Sequence, residues 1–221
     1  MNRPLIITDC DEVLLHMVVP LRDWLDAEHG IHFDFTNQGF GDALRHKDSG
    51  KLVERALIWT LLTAFFQTEM HRQTPIVGAM EAMARLSNIA DIVVLTNIGE
   101  EQHALRVEQI RSHGLDCPVF WNRGGKGPKL AAIVAERQPS VTLFIDDLGE
   151  NHASVAEHAP DVWRLHLIGE PEIAPHIPAC MDAHARIDTW PAAEVWIRDR
   201  IAQGPAPVPA PPSPSMTESQ A

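Results

Sequence analysis

Cysteine is scarce in this sequence: Cys10, Cys117 and Cys180 are the only three, and no two have CxxC spacing. That composition excludes a disulfide framework or a cysteine-rich zinc site and fits free thiols in a reducing compartment. Long apolar runs are also missing, since no stretch approaches the ~18–20 residues that span a bilayer. Leu5-Ile6-Ile7 is too short for a signal-peptide core, and no small-residue cleavage site follows it. The expectation is a cytoplasmic protein with no membrane partner. Histidine is plentiful, at 12 residues, yet no HExxH pair occurs, and Gly30 between His29 and His32 argues for a surface loop. Positive charge is outweighed, with 18 Lys and Arg against 30 Asp and Glu and a formal net charge of −12. Such a surface repels phosphate backbones, which argues against a nucleic-acid polymer as partner. A small anionic substrate remains compatible, because a bound cation and a few local Lys or Arg reverse the potential inside one cleft.

What the sequence does contain is a core. Hydrophobic residues make up 45% and charged residues 22%, the proportions of a globular domain. Short apolar runs predict strands at Leu5 to Thr8, Ile92 to Leu95, Val119 to Trp121, Val141 to Ile145 and Val162 to Leu167. The first, second and fourth are nearly continuous apolar runs, as in a parallel sheet covered on both faces. Between them helical periodicity covers Val77 to Leu86, Glu100 to His113, Pro128 to Glu136 and Asn151 to His158. The alternation predicts an α/β fold, a Rossmann-like doubly wound parallel sheet.

One interval breaks the rhythm. Residues 15–75 are far longer than an ordinary βα connection. They read as helical near Val18 to Glu28 and Leu52 to Met70, with loop between and a possible short strand pair at His32 to Phe35. A small helical cap inserted after the first strand would sit over the strand ends, where open α/β sheets bind ligands. The division is therefore a core of residues 1–14 and 76–202, a cap of 15–75, and a Pro- and Ala-rich tail of 203–221 too poor in apolar residues to order.

The chemistry-bearing residues follow the strands. The first strand runs into Asp9-Cys10-Asp11, the second into Thr96-Asn97 and the fourth into Asp146-Asp147. Lys126 and Lys129 lie between the third strand and the helix before the fourth. Taken singly, each has a plain structural reading: a helix cap for the threonine, a turn for the acid pair, a solvated surface for the lysines. Jointly they place four carboxylates, a hydroxyl and one or two ammonium groups on one edge of a parallel sheet. Acids so gathered repel one another unless a cation or a function compensates them.

In that order, LIITDCDEVLL, IVVLTN, GGKGPK and LFIDDLGEN resemble the four motifs of the haloacid dehalogenase-like hydrolases, across residues 4 to about 160. The insertion matches the position of the family's type-1 caps. The resemblance implies that Asp9 is a nucleophile forming an aspartyl-phosphate, and that Asp11 is the general acid and base. It implies that Thr96 binds the phosphoryl oxygens and that a lysine neutralises the transition-state charge. Lys126 is favoured over Lys129 because its flanking glycines let the backbone approach a phosphate. Family members that cleave carbon–halogen bonds lack an acid at the position of Asp11, which argues for phosphate chemistry. Mg²⁺ is the implied cofactor, with Asp9, Asp11 (through its carbonyl) and Asp147 as ligands and Asp146 as second choice. Asn151 stands where many members carry a further acid.

The implied activity is a Mg²⁺-dependent phosphohydrolase of a small phosphorylated metabolite or nucleotide. A phosphotransferase or mutase on the same core, or a non-catalytic binding protein, is the alternative. Asn97, Lys129, Arg123 and Arg45 are the candidate substrate contacts.

Overall fold

A computed structural model of the chain describes residues 2–34 and 42–208. Six parallel strands form the central sheet, in the spatial order β5-β4-β1-β6-β7-β8. They are β1 (Leu5–Thr8), β4 (Asp91–Thr96), β5 (Val119–Trp121), β6 (Thr142–Asp146), β7 (Trp163–His166) and β8 (Ala185–Arg186). β1 lies between β4 and β6, with Thr8 opposite Val94 on one side and Ile145 on the other. All four β1 residues are buried, which is why the segment reads as an unbroken apolar run.

The pleat divides that run between two layers. Ile6, Val94 and Ile145 face a cluster containing Ala79, Ala82, Met83, Leu86, Trp190 and Ile197. These come from α3 (Ala79–Leu86) and α7 (Trp190–Gln203). Leu5, Ile7, Val93, Leu95 and Phe144 face Leu130, Ile133 and Val155 on the other side. The latter belong to α5 (Gly127–Arg137) and α6 (Gly149–His158). At ~1.5–3 kcal/mol for each fully buried aliphatic or aromatic side chain, these two layers supply the main drive to fold.

The insertion carries its own apolar cluster. It comprises α1 (Val18–His29), the antiparallel pair β2 (Ile31–Phe33) and β3 (Leu44–His46), and α2 (Arg55–Thr68). Leu21, Trp24, Leu25, Phe33, Leu44, Leu61 and Phe65 pack together, joined by Ile98 after β4 and by Trp121 at the end of β5. The insertion therefore rests on the carboxyl end of the sheet. Gly30, at φ 61°, closes α1 with its N–H bonded to the Leu25 carbonyl, a left-handed stop that a side chain would strain. The two chain crossings between insertion and core run side by side, with His16 N–H donating to Thr74 O and Ile76 N–H to Leu14 O, both at 2.9 Å.

Several expectations shift. The second inserted helix is shorter than Leu52 to Met70, because Leu52 bridges to Arg45 and Met70–Arg72 forms a 3-10 turn. The strand pair expected at His32 to Phe35 is β2 with a partner ten residues on, and residues 35–41 lie outside the described residues. The first residues assigned to the tail are ordered: Gln203 ends α7, and Ala206 is buried with its N–H on Asp161 O. Residues 209–221 lie outside the described residues. No described helix is long and apolar enough to cross a membrane.

Candidate active site

Asp9 leaves the carboxyl end of β1 with its N–H still bonded to Ile145 O, and its side chain is 8% exposed. Its Oδ1 accepts the Cys10 N–H at 2.7 Å and lies 2.8 Å from Lys126 Nζ. Lys126 sits just before α5, wholly buried, and donates a second bond of 2.7 Å to Asp146 Oδ2. Its position depends on Gly127. A Cβ there would fall 2.1 Å from the Ser154 carbonyl of α6, so only glycine lets α5 begin this close.

The adjacent acids have different roles. Asp146 is fully buried, with Oδ1 accepting from Leu148 N–H and Asn151 Nδ2, both at 2.9 Å, and Oδ2 taken by Lys126. Three of its roughly four lone-pair sites are taken, which leaves Asp147 the freer ligand of the two. Asp147 is half-buried, and its carboxylate accepts no hydrogen bond among the described residues. One oxygen each of Asp9, Asp146 and Asp147 lie within 4.8 Å of one another.

Burial pushes the Asp147 carboxyl well above its ordinary range, and Asp146 and Asp9 push the same way. Burial likewise raises Asp9 to about 7, against the pull of Lys126. The group thus carries more negative charge than one lysine balances. Hard oxygen ligands with a free carboxylate suit a Mg²⁺-type ion, which needs one or two carboxylates and keeps its waters. Asp9 and Asp147 are the residues that fit it. Two histidines hold the acid turn by its carbonyls: His152 Nε2–H donates to Asp146 O at 3.0 Å and His166 Nε2–H to Asp147 O at 2.8 Å. Burial lowers His152 to about 4, so it stays neutral beside the acids.

Thr96 ends β4, wholly buried, and its Oγ1 has no partner among the described residues. A buried hydroxyl without a partner is costly unless it serves a ligand. Of the expected substrate contacts, Asn97 is tied to the loop after β5, accepting from Asn122 Nδ2 at 2.8 Å and donating to Gly124 O at 3.1 Å. The structure does not bring the other three to the acids. Lys129 is exposed, with Nζ 5.3 Å from the centre of the Phe120 ring. Arg123 is exposed and 4.0 Å from Glu101. Arg45 is on β3 and bonds the Gly50 carbonyl at 3.2 Å.

Asp11 reveals a residue that the sequence reading missed. Both its oxygens accept from Arg106 Nη2, at 2.9 and 3.0 Å, and Oδ1 also accepts from Gln73 Nε2 at 2.6 Å. Arg106 lies on α4 (His103–Ser112), wholly buried, with Nη1 2.8 Å from Cys10 Sγ. Burial works against its charge, but Asp11 and Cys10 more than offset this and its pKa is raised. The only sequence signal is phase: Arg106 shares the buried face of α4 with Ile110, one turn on. Arg106→Met is expected to destabilise the fold by about 3 kcal/mol, the low end for a broken buried pair, since Asp11 keeps some access to water. Urea unfolding measures this, and an unchanged midpoint would show the pair to be energetically idle.

Models of known families give no match to the sequence, and no curated protein matches it. Solved structures do match. A haloacid dehalogenase-like family hydrolase from Streptococcus pneumoniae superposes with a TM-score of 0.62 at 11% identity, covering 87% of this chain and 97% of that one. A predicted phosphoglycolate phosphatase from Haemophilus somnus gives 0.56 at 13% identity, covering 87% and 97%. A putative HAD-hydrolase from Bacillus subtilis, solved bound to magnesium, gives 0.58 at 16% identity, covering 90% and 100%. With the parallel sheet and its strand-end residues, these matches establish that the chain has the haloacid dehalogenase-like fold.

Proposed function

We propose that this chain is a Mg²⁺-dependent phosphohydrolase acting on a small phosphorylated metabolite or nucleotide. The observation that carries the reading is Asp9 itself. Lys126 and the Cys10 N–H hold Oδ1 and leave Oδ2 available at the end of the central strand. In the reaction Oδ2 attacks phosphorus, a new P–O bond forms, and the ester P–O bond breaks. The departing oxygen takes a proton from Asp11. Water then gives its proton to Asp11, attacks the aspartyl-phosphate and releases phosphate and the free carboxylate. Lys126 and the Thr96 hydroxyl meet the charge on the phosphoryl oxygens. Asp11 serves the leaving group only by loosening its bonds to Arg106 and Gln73, and Gln73 sits where the insertion returns to the core. The insertion acts as a cap in this reading, so its placement and the readiness of Asp11 are linked. Asp9 and Asp147, with the Asp11 carbonyl, would hold a Mg²⁺ ion, which would supply charge neutralisation for the phosphoryl group.

Phosphate release from a panel of small phosphate esters, with and without Mg²⁺, tests the reading. Release only with the metal supports it, and none across the panel despite Mg²⁺ binding counts against hydrolysis. Adding a sugar-phosphate or alcohol acceptor separates hydrolysis from transfer by the product formed.

A second test needs no substrate. Asp9 and Asp147 have raised folded pKa values, so without metal the folded chain binds more protons than the unfolded one above the ordinary Asp value of 3.8, a window that for Asp9 extends to about 7. Stability from these groups is present at low pH and lost as pH rises through that window. Mg²⁺ replaces the lost protons. At ~100 times its Kd it is expected to add ~2.7 kcal/mol, a rise in melting temperature of about 5–10 °C for a chain of this size. Thermal scans against EDTA should show this at pH 8 and a much smaller shift at pH 5. Equal shifts at both would detach the metal from these carboxylates.

A further inference from the structure

A second cluster lies where the insertion meets the core, and the chemistry at Asp9 does not use it. One oxygen each of Glu12 and Glu170 and one ring nitrogen of His16 lie within 4.8 Å of one another. Glu12 is 3% exposed and Glu170 6%, while the His16 side chain keeps 20% of its surface. His16 Nδ1 is 2.8 Å from Glu170 Oε2. The other oxygens are spoken for. Glu170 Oε1 accepts the Glu172 N–H at 2.9 Å, and Glu12 Oε1 accepts the N–H groups of Met17 and Val18 at 2.8 and 2.6 Å.

That leaves Glu12 Oε2, buried and with no donor among the described residues. The side-chain charges bearing most on Glu12 are Glu170 and Asp11, both acidic. A buried carboxylate oxygen with no donor and acidic neighbours is relieved by a proton or by a cation. His16 Nδ1 lies near Glu170 Oε2 without making a hydrogen bond, so it and Glu12 Oε2 both lack a partner among the described residues. A divalent ion satisfies all three groups at once.

The backbone around the cluster is fixed in advance. Gly169 N–H donates to the Glu12 carbonyl at 2.6 Å. A Cβ on Gly169 would meet Ile76 Cδ1 at 2.4 Å, so the glycine lets the loop carrying Glu170 come this close. Glu12 itself is held at φ 59°, a left-handed conformation unfavourable for a residue with a side chain. These constraints place three potential ligands from two separate stretches of chain around one point.

We propose that Glu12, His16 and Glu170 form a second metal site, selective for a first-row transition ion of the Zn²⁺ class. Imidazole with carboxylates is a donor set for zinc, whereas Mg²⁺ takes oxygen ligands. Three protein ligands and a partly open histidine leave room for a water as the fourth. Because His16 belongs to the first chain crossing and Glu170 to the core, the ion pins the base of the insertion. The site is independent of any catalysis at Asp9.

The test uses the full chain, stripped with EDTA and then kept in excess Mg²⁺ so that the first site is filled. Zn²⁺ is added by equilibrium dialysis with metal analysis, and Co²⁺ is used in parallel for its visible absorption. The expected result is one equivalent of Zn²⁺ beyond the Mg²⁺, with a higher melting temperature. In His16→Ala and Glu170→Gln the affinity falls by at least about 100-fold and the thermal shift disappears. Glu170→Gln keeps an acceptor for the Glu172 N–H, so it serves if His16→Ala folds poorly. Asp147→Asn retains the Zn²⁺. Absence of Zn²⁺ binding by the unmodified chain, equal binding by His16→Ala and Glu170→Gln, or its loss in Asp147→Asn would each overturn the assignment.

Discussion

Asp9→Asn is expected to lower the Mg²⁺-dependent release of phosphate by about 10⁴-fold or more, the scale on which removal of a nucleophile acts. The amide keeps the shape of the side chain and an oxygen that accepts the Cys10 N–H. It cannot form the aspartyl-phosphate. The variant should fold, and the pH dependence of its stability distinguishes lost chemistry from lost structure. Burial raises Asp9 to about 7, so without metal the ionised carboxylate destabilises the folded chain as pH rises toward and past neutrality. Asn removes that penalty while leaving Lys126 with Asp146 alone. The metal-free variant should therefore lose less stability between pH 5 and pH 8 than the unmodified chain. Rate assays paired with urea unfolding at both pH values measure the two effects. Substantial residual turnover would remove Asp9 from the nucleophile's role.

Lys126→Met is expected to have the largest effect on stability, about 3–5 kcal/mol, the usual consequence of stripping one partner from a buried ion pair. The lysine has no exposed surface and bridges two carboxylates, at 2.8 Å to Asp9 and 2.7 Å to Asp146. Methionine fills much of the space but leaves both acids without their cation. The loss should be greatest at pH 8 and smaller at pH 5, where Asp9 takes up a proton. Adding Asp146→Asn should recover part of it, because an amide tolerates burial better than an unpaired carboxylate and can still accept the Leu148 N–H. A double-mutant cycle gives the coupling directly. Additive effects would mean that the lysine and the acid do not stabilise each other.

These residues were accessible to sequence reading because a parallel sheet converts chain order into spatial order. Asp9, Thr96 and the pair Asp146-Asp147 each close an apolar run, and runs that pair in parallel bring their carboxyl ends together. The lysine was harder. Lys126 and Lys129 lie at the same helix start, and it is the close approach of α5 to Ser154 that buries Lys126.

Arg106 was invisible for a different reason. A charged residue on a helix reads as surface, and its burial depends on an acid that is distant in sequence and on Phe66 from the insertion, 5.5 Å away. Glu12 was hidden likewise, since nothing in DCDEV announces a left-handed residue. The C-terminal helix also went unread, although Thr189 followed by Pro191 is a recognisable start. Its apolar residues do not keep to one face, Val195 being exposed, and Trp190 donates to Val13 O at 2.8 Å, 177 residues earlier in the chain.

The central position of β1 also matters for synthesis. Leu5 to Thr8 leaves the ribosome long before its partners, β4 at Asp91–Thr96 and β6 at Thr142–Asp146. At ~5–20 residues per second the strand waits roughly 7–28 s for its second neighbour. During that time an apolar segment with both edges unpaired is open to wrong partners. The strand that bears the nucleophile is thus the part of the nascent chain most in need of shielding. Slowed translation between β1 and β6, or depletion of chaperones, should reduce the yield of native protein before it alters any property of the molecules that do fold.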